Sequence, residues 1–136
     1  MKVLRFSLLA VLLGLFFSCA SRPVYIPEDL TPMELIQRAQ EASDRNRFAV
    51  SLQYYDAVLD RFSHDIDSVI AAEYEIAFIN YKQNRFETAR VQFHSILERY
   101  DDIDGALLPP QFRVLSNRVL ETMDEVDARR RPRSRL

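Results

Sequence analysis

The stretch Tyr81-Lys82-Gln83-Asn84-Arg85-Phe86-Glu87-Thr88-Ala89 has a counterpart earlier in the chain, because Asn46-Arg47-Phe48 stands 38 residues before Asn84-Arg85-Phe86. The register holds downstream, pairing Ser51 with Ala89, Tyr55 with Phe93, Val58 with Ile96, Leu59 with Leu97, Arg61 with Arg99 and Phe62 with Tyr100. It also holds upstream, where Ala39 matches Ala77 and Ile36 matches Tyr74. Matches that keep small residues small and large residues large, at a period of this length, are the mark of helical hairpins stacked in an array. The sequence predicts an all-α chain with two complete antiparallel hairpins.

Each repeated position has a mechanical reason. Ala77 and Ala89 let two antiparallel helices approach closely, and Phe86 and Phe93 fill the wedge between them. Asn84 falls at the turn, where a left-handed backbone favours Gly or Asn. The first repeat runs parallel, with Ala39, Asn46, Phe48, Ser51, Tyr55 and Val58. Thr31-Pro32-Met33-Glu34 marks the first helix start, with Thr31 as N-cap, Pro32 at the first helical position and Glu34 closing a capping box. Loops are expected at Ser63 to Ser68 and at Asp101 to Leu108. A fifth helix is predicted from near Pro109-Pro110, with Phe112, Leu115, Val119, Met123 and Val126 as the stripe that caps the second hairpin. The repeat domain is therefore expected over residues 31–128.

The Tyr81 to Ala89 turn, with small Ala77 before it and Phe93 and Ile96 after it, resembles the tetratricopeptide repeat. Glu73 and Asn80 depart from that pattern, no proline ends either repeat, and the period is longer than the usual 34 residues. The resemblance implies that the first helix of each hairpin lines a concave face. The positions so implied are Met33, Ile36, Gln40, Ser43 and Asp44 in repeat one, and Ala71, Tyr74, Phe78, Tyr81 and Lys82 in repeat two. Tyr74, Phe78 and Tyr81 stand at i, i+4 and i+7, so three aromatic rings share one helix face. Such a face either stacks on a partner peptide or helix or packs against the first and fifth helices. Ile36, Gln40, Tyr74, Phe78, Tyr81 and Lys82 are the candidate partner groove.

At the N-terminus, Lys2 and Arg5 precede the apolar run Leu8 to Phe17, which ends at small Ser18 before Cys19, the only cysteine. This is the layout of a secretory signal, and Leu15-Phe16-Phe17-Ser18-Cys19 resembles a bacterial lipobox, although with bulky Phe where small residues are commoner. The run is short for a transmembrane anchor. Residues 1–18 are expected to be removed and Cys19 lipidated; the alternative is an ordinary cleaved signal with a free thiol. Pro23 and Pro27 make residues 19–30 an expected extended tether.

Charge and composition exclude several classes. The whole chain carries −2; removing residues 1–18 takes two basic and no acidic residues, giving −4 over 118 residues. Five arginines lie in the tail 129–136, so the rest carries −9. An acidic body argues against nucleic acid, which needs a basic face. The tail, with Pro132 in it, reads as a solvated terminus; binding to an anionic lipid or acidic partner is the alternative. After the signal one glycine remains, Gly105, too few for a phosphate-cradling loop. A lone cysteine allows no internal disulfide, so the fold must rest on its core.

No catalytic, metal or cofactor set is found. His64 and His94 are 30 residues apart with no cysteine to complete a zinc site, and His64-Asp65-Ile66-Asp67 reads as a helix cap. Asp101 to Gly105 fails as a calcium loop, because Tyr100 and Gln111 occupy the positions that need carboxylates. Carboxylates are plentiful, but nothing pairs them across a pocket. A lipid-modified cysteine, a short linker and such repeats together resemble BamD-type outer-membrane assembly lipoproteins. That resemblance implies a non-catalytic scaffold, outer-membrane anchored and facing the periplasm, whose groove takes envelope protein or peptide partners. A periplasmic adaptor for a transporter, secretion or peptidoglycan-associated complex is the alternative, and self-association through exposed array ends stays open.

Overall fold

The computed structural model describes residues 23–102 and 104–130. The signal, Cys19 and the last six residues lie outside the described residues. Five α-helices follow in order: α1 (Pro32–Asp44), α2 (Phe48–Arg61), α3 (Ile66–Lys82), α4 (Phe86–Asp101) and α5 (Pro110–Arg130), with a 3₁₀ turn at Gly105–Leu107 before the last. α1 with α2 and α3 with α4 form two antiparallel hairpins, each helix packs on its chain neighbour, and α1 touches α3 as α3 touches α5. The fold is an all-α stack of helical hairpins closed by a C-terminal helix.

Both hairpin turns are made by asparagine. Asn46 and Asn84 sit at φ 56° and 59°, the non-glycine residues with positive φ among those described. In each turn the following arginine N–H bonds back across it, Arg47 to the Ala42 carbonyl at 2.8 Å and Arg85 to the Asn80 carbonyl at 2.9 Å. The Thr31 cap also forms as expected: Glu34 N–H donates to Thr31 Oγ1 at 3.3 Å and Thr31 N–H to Glu34 Oε2 at 2.9 Å. This reciprocal bonding holds the Glu34 carboxyl below its ordinary range. Asp65 caps α3, accepting from Ser68 N–H at 3.3 Å and its hydroxyl at 2.8 Å. The connection is thus shorter than the expected 63–68, and Ser68 belongs to the first turn of α3.

The close approach within a hairpin is visible at the small pairs. Ala39, Ser51, Ala77 and Ala89 are all fully buried, and Ser51 Oγ donates to the Ala39 carbonyl at 2.8 Å. The core divides in two around α3. Ala72 and Ile79 face a first cluster with Leu35, Ala39, Tyr55 and Val58. Ile70, Tyr74 and Ala77 face a second cluster with Phe93, Ile96, Tyr100, Val119, Leu120 and Met123. α3 is apolar on two faces because it is covered on two sides, as the central helix of a stack must be.

The fifth helix caps the second hairpin through most of the expected stripe: Val119 and Met123 are buried and Phe112 packs on the second cluster, and only Leu115 departs. Ser116, Val119, Leu120 and Met123 are buried, whereas Leu115 is 37% exposed. Ser116 is the small, fully buried residue of this helix, as Ala39 and Ala77 are in the first helices of the hairpins. Seven residues after those alanines come Asn46 and Asn84; seven after Ser116 comes buried Met123, and α5 runs straight on. The 3₁₀ turn before α5 is tied down by Tyr100, whose hydroxyl donates to the Pro109 carbonyl at 2.6 Å. Gly105 lies so close to the Tyr100 backbone that a Cβ would overlap it.

Residues 23–27 have no regular structure and Glu28 and Asp29 form a turn, but the segment is not a free tether. Leu30 is buried and Ile26 packs on the first cluster. Arg61 donates to the Pro27 and Ile26 carbonyls at 2.8 and 3.2 Å, and Val24 N–H donates to Gln53 Oε1 at 2.7 Å. The lead-in lies along α2, so the expected tether 19–30 is docked from Val24 onward.

Candidate functional site on the first-helix face

The face made by α1 and α3 brings together part of the candidate groove. Lys82 Nζ donates to Ser43 Oγ at 2.6 Å, and it stands 5.3 Å from the ring centroids of both Phe48 and Phe78. A cation over two ring faces is a favourable electrostatic arrangement. It ties the end of α3 to the first hairpin. Glu75 lies one helical turn before Phe78, between Gln40, Asp44 and Lys82. Its carboxyl is pushed up chiefly by burial, opposed by Lys82 and by a hydrogen bond from Gln40, and raised further by Asp44.

Beneath this cluster lies Tyr55, fully buried, with a hydroxyl that has no hydrogen-bond partner. Burial, and then Glu75 and Asp44, push that hydroxyl well above the usual tyrosine range. The α1/α3 face is therefore amphipathic: Phe78 and Phe48 give apolar rings, Lys82 one cation, and Asp44 and Glu75 two acids.

The aromatic stripe divides where the sequence treats it as one surface. Tyr74 is 7% exposed, with its ring centroid 5.4 Å from Phe112, 5.7 Å from Phe93 and 6.0 Å from Phe78. The fifth helix covers it, so Tyr74 is a core residue and not a groove residue. Ile36 is also buried, at 8% exposure, in the first cluster. Phe78 and Tyr81 are half-buried and stacked at 5.8 Å, and Tyr81 meets Phe86 at 5.8 Å. Gln40 and Lys82 are exposed. Of the six candidates, Gln40, Phe78, Tyr81 and Lys82 reach the surface.

Glu75, Phe48 and the Tyr55 hydroxyl were not among the sequence candidates. Glu75 was within reach, because Glu75, Phe78 and Lys82 stand at i, i+3 and i+7 on one face. Phe48 and Tyr55 come from another helix, and no spacing within α3 announces them.

Other polar features hold helices together. Arg90 of α4 pairs with Asp124 at 2.6 Å and Asp127 at 3.0 Å on α5, and Arg99 pairs with Glu73 between α4 and α3. Asn80 Nδ2 donates to Gln92 Oε1 at 2.6 Å, which explains a polar residue at that inward position. Among the described residues, no group of three or more His, Cys, Asp or Glu could hold a metal ion. No described helix is long and apolar enough to cross a membrane.

Comparison with known proteins finds one informative likeness. The chain is 40% identical over 109 residues to an uncharacterized protein of Treponema pallidum (strain Nichols), a match covering 77% of this chain and 44% of the relative. The chain thus spans less than half of that relative's length. No protein-family model matches the chain, and no solved structure matches it.

Proposed function

We propose that this protein is a non-catalytic envelope lipoprotein of tetratricopeptide type that acts as a protein-interaction scaffold. The observation that carries this reading is the α1/α3 face, where half-exposed Phe78 and Tyr81 accompany exposed Gln40 and Lys82. An amphipathic helix or extended segment with an apolar anchor and a charged flank complements such a surface. In support, Arg90 and Arg99 are engaged in joining helices.

Anchoring through lipidated Cys19 would confine the partner to the envelope. Within that class the layout of anchor, short lead-in and stacked hairpins favours a role beside outer-membrane β-barrel assembly, like that of BamD-type lipoproteins. The test is a pull-down from detergent-solubilised envelopes with the tagged wild type and with Phe78→Glu. Enrichment of β-barrel assembly components by the wild type, lost in Phe78→Glu with the domain still folded, is the expected result. Equal recovery by both forms, or enrichment of unrelated envelope proteins only, refutes the assignment. Mass measurement of the mature N-terminus decides Cys19 acylation independently.

A further inference from the structure

Hairpin stacking gathers two basic turns at one edge of the domain and a group of acids at the other. At the turn edge lie Arg45-Asn46-Arg47 and Lys82-Gln83-Asn84-Arg85, two turns with two basic residues each and no acid. Here too ends α5, with Arg129 and Arg130, followed in sequence by Arg131, Arg133 and Arg135. Contacts confirm that these segments share one edge. Lys82 reaches Ser43 at 2.6 Å, and the Arg130 guanidinium stands 5.6 Å from the Phe86 ring centroid. The opposite edge holds Glu28, Asp29, Asp60, Asp65, Asp67, Asp101, Asp102 and Asp104, and its arginines are committed. Arg61 binds carbonyls of the lead-in, Arg99 pairs with Glu73, and Arg113 pairs with Asp101 at 3.5 Å.

The acids near the turn edge are largely neutralised in place. Glu41 lies 3.6 Å from Arg45, Glu125 lies 3.6 Å from Arg129, and Asp124 and Asp127 are held by Arg90. Asp44, Asp56 and Glu87 stand near the basic turns outside those pairs, whereas Arg47, Lys82, Arg85 and Arg130 are exposed and form no ion pair among the described residues.

A second, independent observation gives the edge a direction. The docked lead-in begins at this same edge, because Pro23 lines a depression of about 550 Å³ with Ala49, Gln53, Gln83 and Arg85. Cys19 precedes Pro23 by four residues, so chain reach keeps the two within about 14 Å. We infer that the turn edge is a membrane-facing surface that seats on anionic phospholipid headgroups, with the acidic edge pointing away. Basic side chains near such a surface each strengthen attraction by about fivefold, and the effect fades within a Debye length. The inference shares with the proposed function only the direction of Cys19, and its test needs no lipid on the protein.

Residues 20–136, which include both core clusters found among the described residues, are used as the unacylated chain. Binding is measured to phosphatidylcholine vesicles with and without roughly one-third phosphatidylglycerol, from about 50 mM to about 500 mM salt. Binding is expected only with phosphatidylglycerol and is expected to fall with salt. Arg47→Gln, Arg85→Gln, Arg129→Gln and Arg130→Gln together should weaken it by several hundredfold, roughly fivefold for each. Asp67→Asn with Asp102→Asn should not weaken it. A fluorophore on Gln83→Cys should be quenched by headgroup-bound spin label, and one on His64→Cys should not.

Circular dichroism checks the fold of the fourfold variant; if it does not fold, Arg47→Gln and Arg85→Gln are read singly at about fivefold each. Equal binding to phosphatidylcholine, no binding to either vesicle, wild-type binding by the variants, or preferential quenching at position 64 overturns the inference. Preference for polyglutamate over anionic vesicles does so as well, and identifies an acidic protein partner instead. Acylation of Cys19 is decided by mass, so a failed anchor and a failed edge give different results.

Discussion

In the first hairpin the wedge residue between the helices is Tyr55, and in the second it is Phe93; both are fully buried. The second is an apolar ring among rings, close to Tyr74. The first carries a hydroxyl with no hydrogen-bond partner, beneath Glu75 and Asp44. A similar asymmetry runs along the outer side. Arg99 meets a carboxylate, Glu73, whereas its counterpart Arg61 meets backbone carbonyls of the lead-in. The position matching Glu73 in repeat one is Leu35, buried in the core. One backbone plan therefore supports two specialisations: the second hairpin is built for packing, and the first accommodates an extra segment and a polar cluster.

The largest expected effect breaks the better-packed hairpin. Phe93→Ala should cost about 3–5 kcal/mol, as removal of a fully buried ring does, and should lower the denaturation midpoint in urea sharply. Tyr55→Phe, which makes the first wedge like the second, is expected to be neutral or stabilising because it removes an unsatisfied buried hydroxyl. A large loss from Tyr55→Phe would show that the hydroxyl has a partner in solution.

Next come the turns, which the comparison treats as equivalent. Asn46→Ala and Asn84→Ala should each cost roughly 1–2 kcal/mol, the penalty for a left-handed non-glycine residue. Asn→Gly at either site should be far milder in thermal melts. Unequal costs at the two turns would show that the repeats differ in backbone strain as well as in packing. Ser51→Ala, which copies Ala89, should lose about 1 kcal/mol with its bond to the Ala39 carbonyl, read from the same melts.

The smallest effect is a pH dependence confined to the first-helix face. Glu75 has a raised folded-state pKa, so the native state holds its proton more tightly than the unfolded chain does. As pH rises through the ordinary glutamate range and toward that raised value, the unfolded state loses the proton first and stability falls. Glu75→Gln should therefore be more stable than the wild type at neutral pH, and the difference should vanish below the glutamate range. A difference that grows on acidification contradicts the assignment.

What was legible in the sequence was local or periodic. The Thr31 capping box, the two asparagine turns, the small pairs and the hairpin order depend on residues a few positions apart or on a 38-residue period. On α5 the spacing marks Val119 and Met123 correctly but takes Leu115 for Ser116, because both fit a helical stripe and only the approaching helix decides between them. Tyr74 was read with Phe78 and Tyr81, since spacing shows a shared face but not that Phe112 comes to cover it. The lead-in was illegible for a different reason. Leu30 and Ile26 are too few to set a period, and the arginine bonds go to backbone carbonyls, which leave no mark on a side-chain pattern.

That attachment also has a mechanical side. Because Val24 is bonded to Gln53, and Ile26 and Pro27 to Arg61, the lead-in is fastened at two points along the length of α2. A pull on the N-terminal end directed along that helix loads both fastenings together, in shear, and spreads force over the first hairpin. A pull across the helix would peel them one at a time, starting at Val24. The domain therefore resists tension in a direction-dependent way, and a sideways pull on the lead-in would be felt first at Gln53.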